Sequence, residues 1–184
     1  MRTFIAVELS DLVRARLAAL KDARVVTGAR VRWVAAESLH LTLKFLGEVD
    51  PLRVPELAQA MRAVAGRFTP LRLVVRGLGC FPDARSPRIF WAGLDAEPLL
   101  PELARAIEAR FTQLGFAAED RPFKSHVTLA RITGRAHVDR EQLLAERPEL
   151  GAWTVKRIVL MESTPARGGA HYCVAAEAPL AAAP

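Results

Sequence analysis

Two short stretches carry residue types that can do acid–base chemistry near neutral pH. They are HLTLKFLG at residues 40–47 and SHVTLAR at residues 125–131. Each holds a histidine and, two positions on, a threonine: His40 with Thr42, and His126 with Thr128. Imidazole has an ordinary pKa of about 6.5, so one copy can act as base while another acts as acid. A threonine hydroxyl can donate to an anionic oxygen or accept a hydrogen bond. On a strand, residues i and i+2 stand on one face about 6.5–7 Å apart, so each pair can touch one small ligand. Two such pairs facing each other suit in-line displacement at phosphorus. One imidazole takes a proton from the attacking water and the other gives one to the leaving oxygen. The hydroxyls and a nearby cation hold the non-bridging oxygens. Lys44 and Arg131 are the nearest cations in sequence. Regular alternation puts Lys44 on the face of His40, with Leu39, Leu41, Leu43 and Phe45 on the other face. It turns Arg131 away from His126 unless a bulge or strand end intervenes.

Elements must position these side chains, and the chain reads as an alternation of strands and helices. RTFIAVEL (2–9) is a strand, and Ser10 can N-cap a helix over about 11–24. VRWVA (31–35) and HLTLKFLG form a strand pair or one bent strand. Pro51 opens a helix with the apolar stripe Val54, Leu57, Ala58, Met61, Val64 and Ala65. Strands follow at 71–79 and 88–94 with a turn-rich loop, 80–87, between them. A helix over 98–114 ends at Gly115, and strands are expected at 126–132, 153–163 and 171–180. A short helix lies over about 139–146, and the tail 181–184 is expected to fray. Sliding the chain by 86 residues, the separation of the two histidines, lays strand on strand and helix on helix. Phe4 then lands on Phe90, Ala6 on Ala92, and the strand at 71–76 on 157–162. The order implies one domain of two related lobes, roughly 1–86 and 87–172. A pseudo-twofold axis would bring both histidine strands to one central cleft.

A histidine alone in a strand is commonly a hydrogen-bonded structural residue. Its recurrence in H-x-T-L at equivalent places is what carries the functional reading. Zinc needs a third or fourth ligand, and no H-x-H, HExxH or cysteine cluster supplies one; His137 and His171 stand alone. No P-loop, dinucleotide fingerprint or G-x-S-x-G elbow occurs. Neither metal nor cofactor is therefore expected. Cys80 and Cys173 lack ligand spacing, which points to a reduced cytoplasm and no disulfide. No apolar run can cross a bilayer, and Glu8 and Asp11 come too early for a secretory leader. The net charge of +6 and pI near 10.1 favour a polyanionic partner, although 22 of the 26 basic residues are arginine, as coding bias alone could produce.

At these motifs the chain resembles the two-histidine phosphoesterase superfamily, and more narrowly the RNA 2′,3′-cyclic phosphodiesterases long named 2′-5′ RNA ligases. The likeness runs through RTFIAVELS, SLHLTLKFLGEV, PRIFWAGL, RPFKSHVTLAR and ESTPARGGAHY. It implies an α+β fold of two lobes, each a small antiparallel sheet with helices outside, around a central cleft. It implies metal-independent hydrolysis of a terminal 2′,3′-cyclic phosphate on RNA to a 2′-phosphate, with reversible 2′-5′ joining as an associated activity. By position, His40 would be the proton donor and His126 the acceptor. Thr42, Thr128 and Arg131 would hold the phosphate. Lys44 and Tyr172 are candidates for substrate contact. Phe45, Trp91 and Tyr172 are candidates to stack on a base, with strand alternation favouring the core for Phe45 and Trp91; Arg85 and Arg88 border the 80–87 loop, where they could contact an RNA backbone or simply face solvent. The expected partner is an RNA or nucleotide end; no membrane and no obligate protein partner is implied. Two rivals stand beside this reading: a non-catalytic RNA-binding module, and a sister enzyme acting on another cyclic or 2′-5′ phosphodiester.

Overall fold

The computed structural model describes residues 1–28, 30–96, 98–145, 150–166 and 169–182. Its elements in chain order are β1 (Arg2–Glu8), α1 (Asp11–Ala19), β2 (Val26–Thr27), β3 (Val31–Trp33), β4 (His40–Glu48), α2 (Val54–Ala65), β5 (Leu71–Phe81), β6 (Ile89–Asp95), α3 (Leu99–Gln113), β7 (His126–Ile132), β8 (His137–Val138), α4 (Arg140–Leu144), β9 (Ala152–Val155), β10 (Arg157–Ala166) and β11 (Gly169–Pro179). Ser10 caps α1, its hydroxyl accepting from the Val13 amide at 3.3 Å. Helix α1 stops at Ala19, short of the expected 24, and Arg24 adopts a left-handed φ of 51°. Glu146, at the end of the expected short helix, and the last two residues of the tail lie outside the described residues.

Among the described residues nine strands form one antiparallel sheet, in the order β11-β10-β1-β4-β7-β6-β5-β9, with β3 also paired to β7. The fold is α+β and dominated by this sheet. Strands β4 and β7, the two histidine strands, sit at the middle and are flanked symmetrically: β1 and β10 beyond β4, β6 and β5 beyond β7. The four-strand groups are not the two halves of the chain. The expected strand at 153–163 is two strands. β9 pairs with β5 at one edge, and the chain then passes through Lys156 to β10, which pairs with β1 in the other group. β5, from the first half, likewise forms a hairpin with β6.

Helices α2 and α3 cover one face of the sheet. Ile5, Leu41, Leu57, Met61, Phe90, Leu103, Ile107, Phe111 and Val127 are fully buried there in a single core. The other face is mostly open, with a small apolar cluster of Phe4, Ala6, Val159 and Met161 on one side of its midline. No helix among the described residues is long and apolar enough to cross a membrane.

Candidate active site

The site forms where β4 and β7 meet. Their ladder is a single pair, Leu41 opposite Val127, both fully buried on the core face. Beyond it, β3 takes over the edge of β7, with Trp33 opposite Ala130 and Arg32 opposite Arg131, and β4 splays away. The register at Leu41 and Val127 sets His40 beside Thr128 and Thr42 beside His126. Alternation turns all four onto the open face, and all four are half-buried. The two histidines occupy a diagonal of this rectangle, where side chains stand roughly 7–8 Å apart. A phosphate hydrogen-bonded from both sides fits that span.

Both rings are anchored alike. The Nδ1–H of His40 donates to the Ser38 carbonyl at 2.8 Å, and that of His126 to the Lys124 carbonyl at 2.7 Å. A carbonyl can only accept, so the bond fixes the tautomer and leaves Nε2 as the nitrogen not engaged by the backbone. The bond persists whether the ring is neutral or protonated, so it suits a base and an acid equally. Both pKa values fall below the ordinary 6.5, chiefly because burial disfavours the charged ring. For His40 the charges of Arg131 and His126 add to the fall, and for His126 the charge of Lys124 does.

Two bulges decide which other side chains join. β1 pairs Ala6 with Thr42 but Phe4 with Phe45, so one extra residue of β4 is accommodated at Leu43. Phe4 and Ala6 share a face; Phe45 therefore shares the face of Thr42, and Lys44 turns to the core. In the same way β6 pairs Trp91 with Thr128 and Ile89 with Arg131, so a bulge at Leu129 brings Arg131 onto the histidine face. Arg131 is exposed there, within electrostatic reach of His40.

Lys44 does not share the face of His40. Its side chain is fully buried, with Nζ 2.7 Å from Glu108 Oε2 and 2.9 Å from the Ala117 carbonyl. Phe45, expected in the core, is 59% exposed. Trp91, also expected in the core, is half-buried on the histidine face. It lies against β5 at Gly79, where a Cβ would run into its ring. The repeat also shifts: on these registers Ala6 corresponds to Trp91, an offset of 85 rather than 86. That one-residue slip separates Phe4, on the open face, from Phe90 in the core.

Aromatic rings frame each histidine. Tyr172 stands edge-on to His40 with centroids 5.1 Å apart, and Phe4 lies 4.7 Å from the same ring. Phe81 stands edge-on to His126 at 5.1 Å. Lys124 lays its ammonium over Phe81 at 5.0 Å and over Trp91 at 4.5 Å, a cation–π clamp beside His126. Sequence reasoning missed Phe81, which it assigned to a loop, and Lys124. The signal for Phe81 is the strand continuing two residues past Gly79; nothing local marks Lys124.

Among the described residues no three His, Cys, Asp or Glu side chains lie close enough to hold a metal ion. A groove of about 520 Å³ between α2 and α3 is lined by Arg67, Phe68, Glu102 and Arg105 and holds no histidine. The histidines and threonines of the two motifs lie on the sheet face, away from this groove.

The family model described as LigT like Phosphoesterase matches residues 7–91 and 94–172. The RNA 2′,3′-cyclic phosphodiesterase of Methanothermobacter thermautotrophicus is 30% identical over 175 residues, 94% of this chain and 95% of that protein. The protein of the same name from Geobacillus stearothermophilus is 40% identical over 157 residues. That match covers 83% of this chain but 48% of the relative, so this chain spans about half the length of that protein. Among solved structures, TT0787 of Thermus thermophilus superposes with a TM-score of 0.79 at 31% identity, covering 98% of both chains. Escherichia coli LigT complexed with 3′-AMP gives 0.75 at 27% identity over 97% of both. With the paired histidines and threonines on one sheet face and the match running through nearly all of the sequence, the chain belongs to the LigT-like phosphoesterase family.

Proposed function

We propose that the protein hydrolyses the terminal 2′,3′-cyclic phosphate of RNA to a 2′-phosphate, without a metal ion, using His40 and His126 as acid and base. The observation that carries this is the diagonal pair of imidazoles, each with Nδ1 committed to a backbone carbonyl and Nε2 left for chemistry. In the resemblance-based order, His126 Nε2 takes a proton from water as its oxygen bonds to phosphorus. The bond from phosphorus to the 3′ oxygen breaks, and His40 Nε2–H protonates that oxygen. Thr42 and Thr128 hydrogen-bond the non-bridging oxygens, and Arg131 offsets the charge growing there. Tyr172 steadies the His40 ring, and Lys44, buried behind the strand, takes no direct part. Free thiols at Cys80 and Cys173 fit a reducing compartment, which we take to be the cytoplasm.

The test is hydrolysis of a nucleoside 2′,3′-cyclic phosphate followed by chromatography of the products. His40→Ala and His126→Ala should each lower kcat by about 10²–10⁴, the usual worth of a general acid or base. Both variants should keep the wild-type melting temperature within a few degrees, and EDTA should leave wild-type turnover unchanged. Near wild-type turnover in either variant would remove that histidine from the mechanism. RNA binding without turnover in the wild type would favour the non-catalytic reading.

A further inference from the structure

We propose that Lys44 is a positioning residue. Its buried ammonium clasps β4 to the connection between α3 and β7, and so sets the spacing of His40 and His126 across the phosphate. This rests on the hydrolase reading above. The need for a clasp is visible at the seam between the histidine strands. β4 and β7 share one ladder pair, Leu41 opposite Val127, whereas β7 pairs with β6 from His126 to Arg131. A single pair leaves the two sides of the sheet free to hinge, and hinging there changes the distance between the imidazoles. On the side where β4 runs on through Thr42 and Leu43, no further ladder pair joins it to β7 among the described residues. Lys44 spans that gap from behind. Its Nζ donates to Glu108 Oε2 on α3 at 2.7 Å and to the Ala117 carbonyl at 2.9 Å. The other carboxylate oxygen of Glu108 accepts from the Glu119 amide at 3.1 Å and from the Thr112 hydroxyl at 3.3 Å. Three segments, β4, α3 and residues 117–119, thus meet on one ion pair. From Glu119 the chain runs on to Lys124, whose carbonyl anchors the His126 ring.

Among the described residues Lys44 is the one charged side chain that is fully buried. Burial opposes ionisation of Glu108, but the Lys44 ammonium and the Glu119 amide outweigh it and hold the carboxyl below its ordinary pKa. The clasp is therefore charged at neutral pH. Stability alone is a poor reason to keep it, because a buried ion pair replaced by apolar side chains of like volume often loses nothing. What apolar packing lacks is direction. Hydrogen bonds fix the distance and angle between the segments they join, whereas an apolar core accepts repacking. The clasp thus serves the geometry of the face in front of it.

The experiment compares wild type with Lys44→Met on a nucleoside 2′,3′-cyclic phosphate, beside the melting temperature and backbone hydrogen exchange. Lys44→Met should lower kcat and kcat/KM together by about ten- to a hundredfold, the scale of a reacting group misplaced by up to an ångström, with KM little moved. Exchange should quicken at the seam, in residues 40–42 and 126–128, and keep its wild-type rate in β5 and β6. Ile107→Val, next to Glu108 on α3, trims the core without touching the clasp. It should lower the melting temperature and leave kcat where it was. Glu108→Gln keeps the shape of the side chain without its charge and should fall between wild type and Lys44→Met; it carries the test if Lys44→Met does not fold. Wild-type kcat in Lys44→Met, an equal loss in Ile107→Val, or a loss with unchanged exchange at the seam overturns the proposal. If the wild type turns over no cyclic phosphate, the hydrolase reading falls instead, and exchange alone judges the clasp. Faster exchange at the seam in Lys44→Met then upholds it, and unchanged exchange removes it.

Discussion

In the proposed mechanism the chemistry of this face rests on two imidazoles that hold their protons more weakly than free histidine does. Burial is the main cause for both, with Arg131 acting on His40 and Lys124 on His126. A reaction needing one ring protonated and the other neutral should then run best below pH 6.5. Accordingly, kcat/KM should climb as pH falls from 8 towards 6.5, and decline again at lower pH when the base is also protonated; a pH–rate profile checks this. Arg131→Ala removes a cation from beside His40, so the His40 pKa rises and the limb it controls moves to higher pH. Lys124→Met should do the same for His126. The rings feel one another, so the midpoints belong to the pair, and the shift on mutation assigns each limb. Movement of the alkaline limb in Arg131→Ala makes His40 the acid, and movement of the acidic limb makes it the base. The residue types and spacing of H-x-T announced this chemistry. The neighbours that tune it, Arg131 across the seam and Lys124 over two rings, are set by contacts that spacing does not encode.

At the scale of the strand, the bulges at Leu43 and Leu129 decide the composition of the site. Alternation without a bulge sends Lys44 to the open face and Arg131 to the core, and the structure reverses both. A bulge is fixed by the partner strand, so β4 and β7 could not reveal theirs alone. Behind the first bulge, Lys44 is a buried cation whose carboxylate partner, Glu108, is 29% exposed. Glu108→Ala strands the ammonium in the core and should cost about 2–4 kcal/mol in a denaturant titration, somewhat under the range for fully buried pairs because water reaches the Glu108 side. Lys44→Met fills the same space without a charge and should cost less than half as much, since Glu108 can turn to solvent. Reversal of that order would mean that the stem of Lys44, not its charge, holds the bulge. On the other side of the midline, Gly79 gives Trp91 room to lie flat against β5. Gly79→Ala should cost roughly 1–3 kcal/mol by overpacking, read from the melting transition, and should lower activity on RNA as the Trp91 and Lys124 clamp shifts.

Over the whole molecule, one side of the sheet is built from the two ends of the chain, β1 and β4 with β10 and β11, and the other from its middle, β5, β6, β7 and β9, so neither side is one half of the chain. A fragment covering residues 1–86, the first repeat as the sequence counts it, keeps β4 beside β1 but loses β10 on its other edge, and bares the Phe4 and Ala6 face that Val159 and Met161 cover. It should stay unfolded by circular dichroism, and a cooperative melt from it would show that the repeat is a folding unit. The sequence by itself determined the class of fold, most of the strands and helices, and the four residues of the two H-x-T pairs, because period-two patterning and cap residues are local signals. It also showed that elements recur at a nearly constant offset. Only the tertiary structure decided that the stretch at 153–163 breaks at Lys156 to join opposite sides of the sheet. Only the structure put Phe45 and Trp91 on the open face with Arg131, and Lys44 behind it. These outcomes depend on register between strands far apart in the chain, where a shift of one residue exchanges the two faces, and no stretch of sequence read alone carries that register.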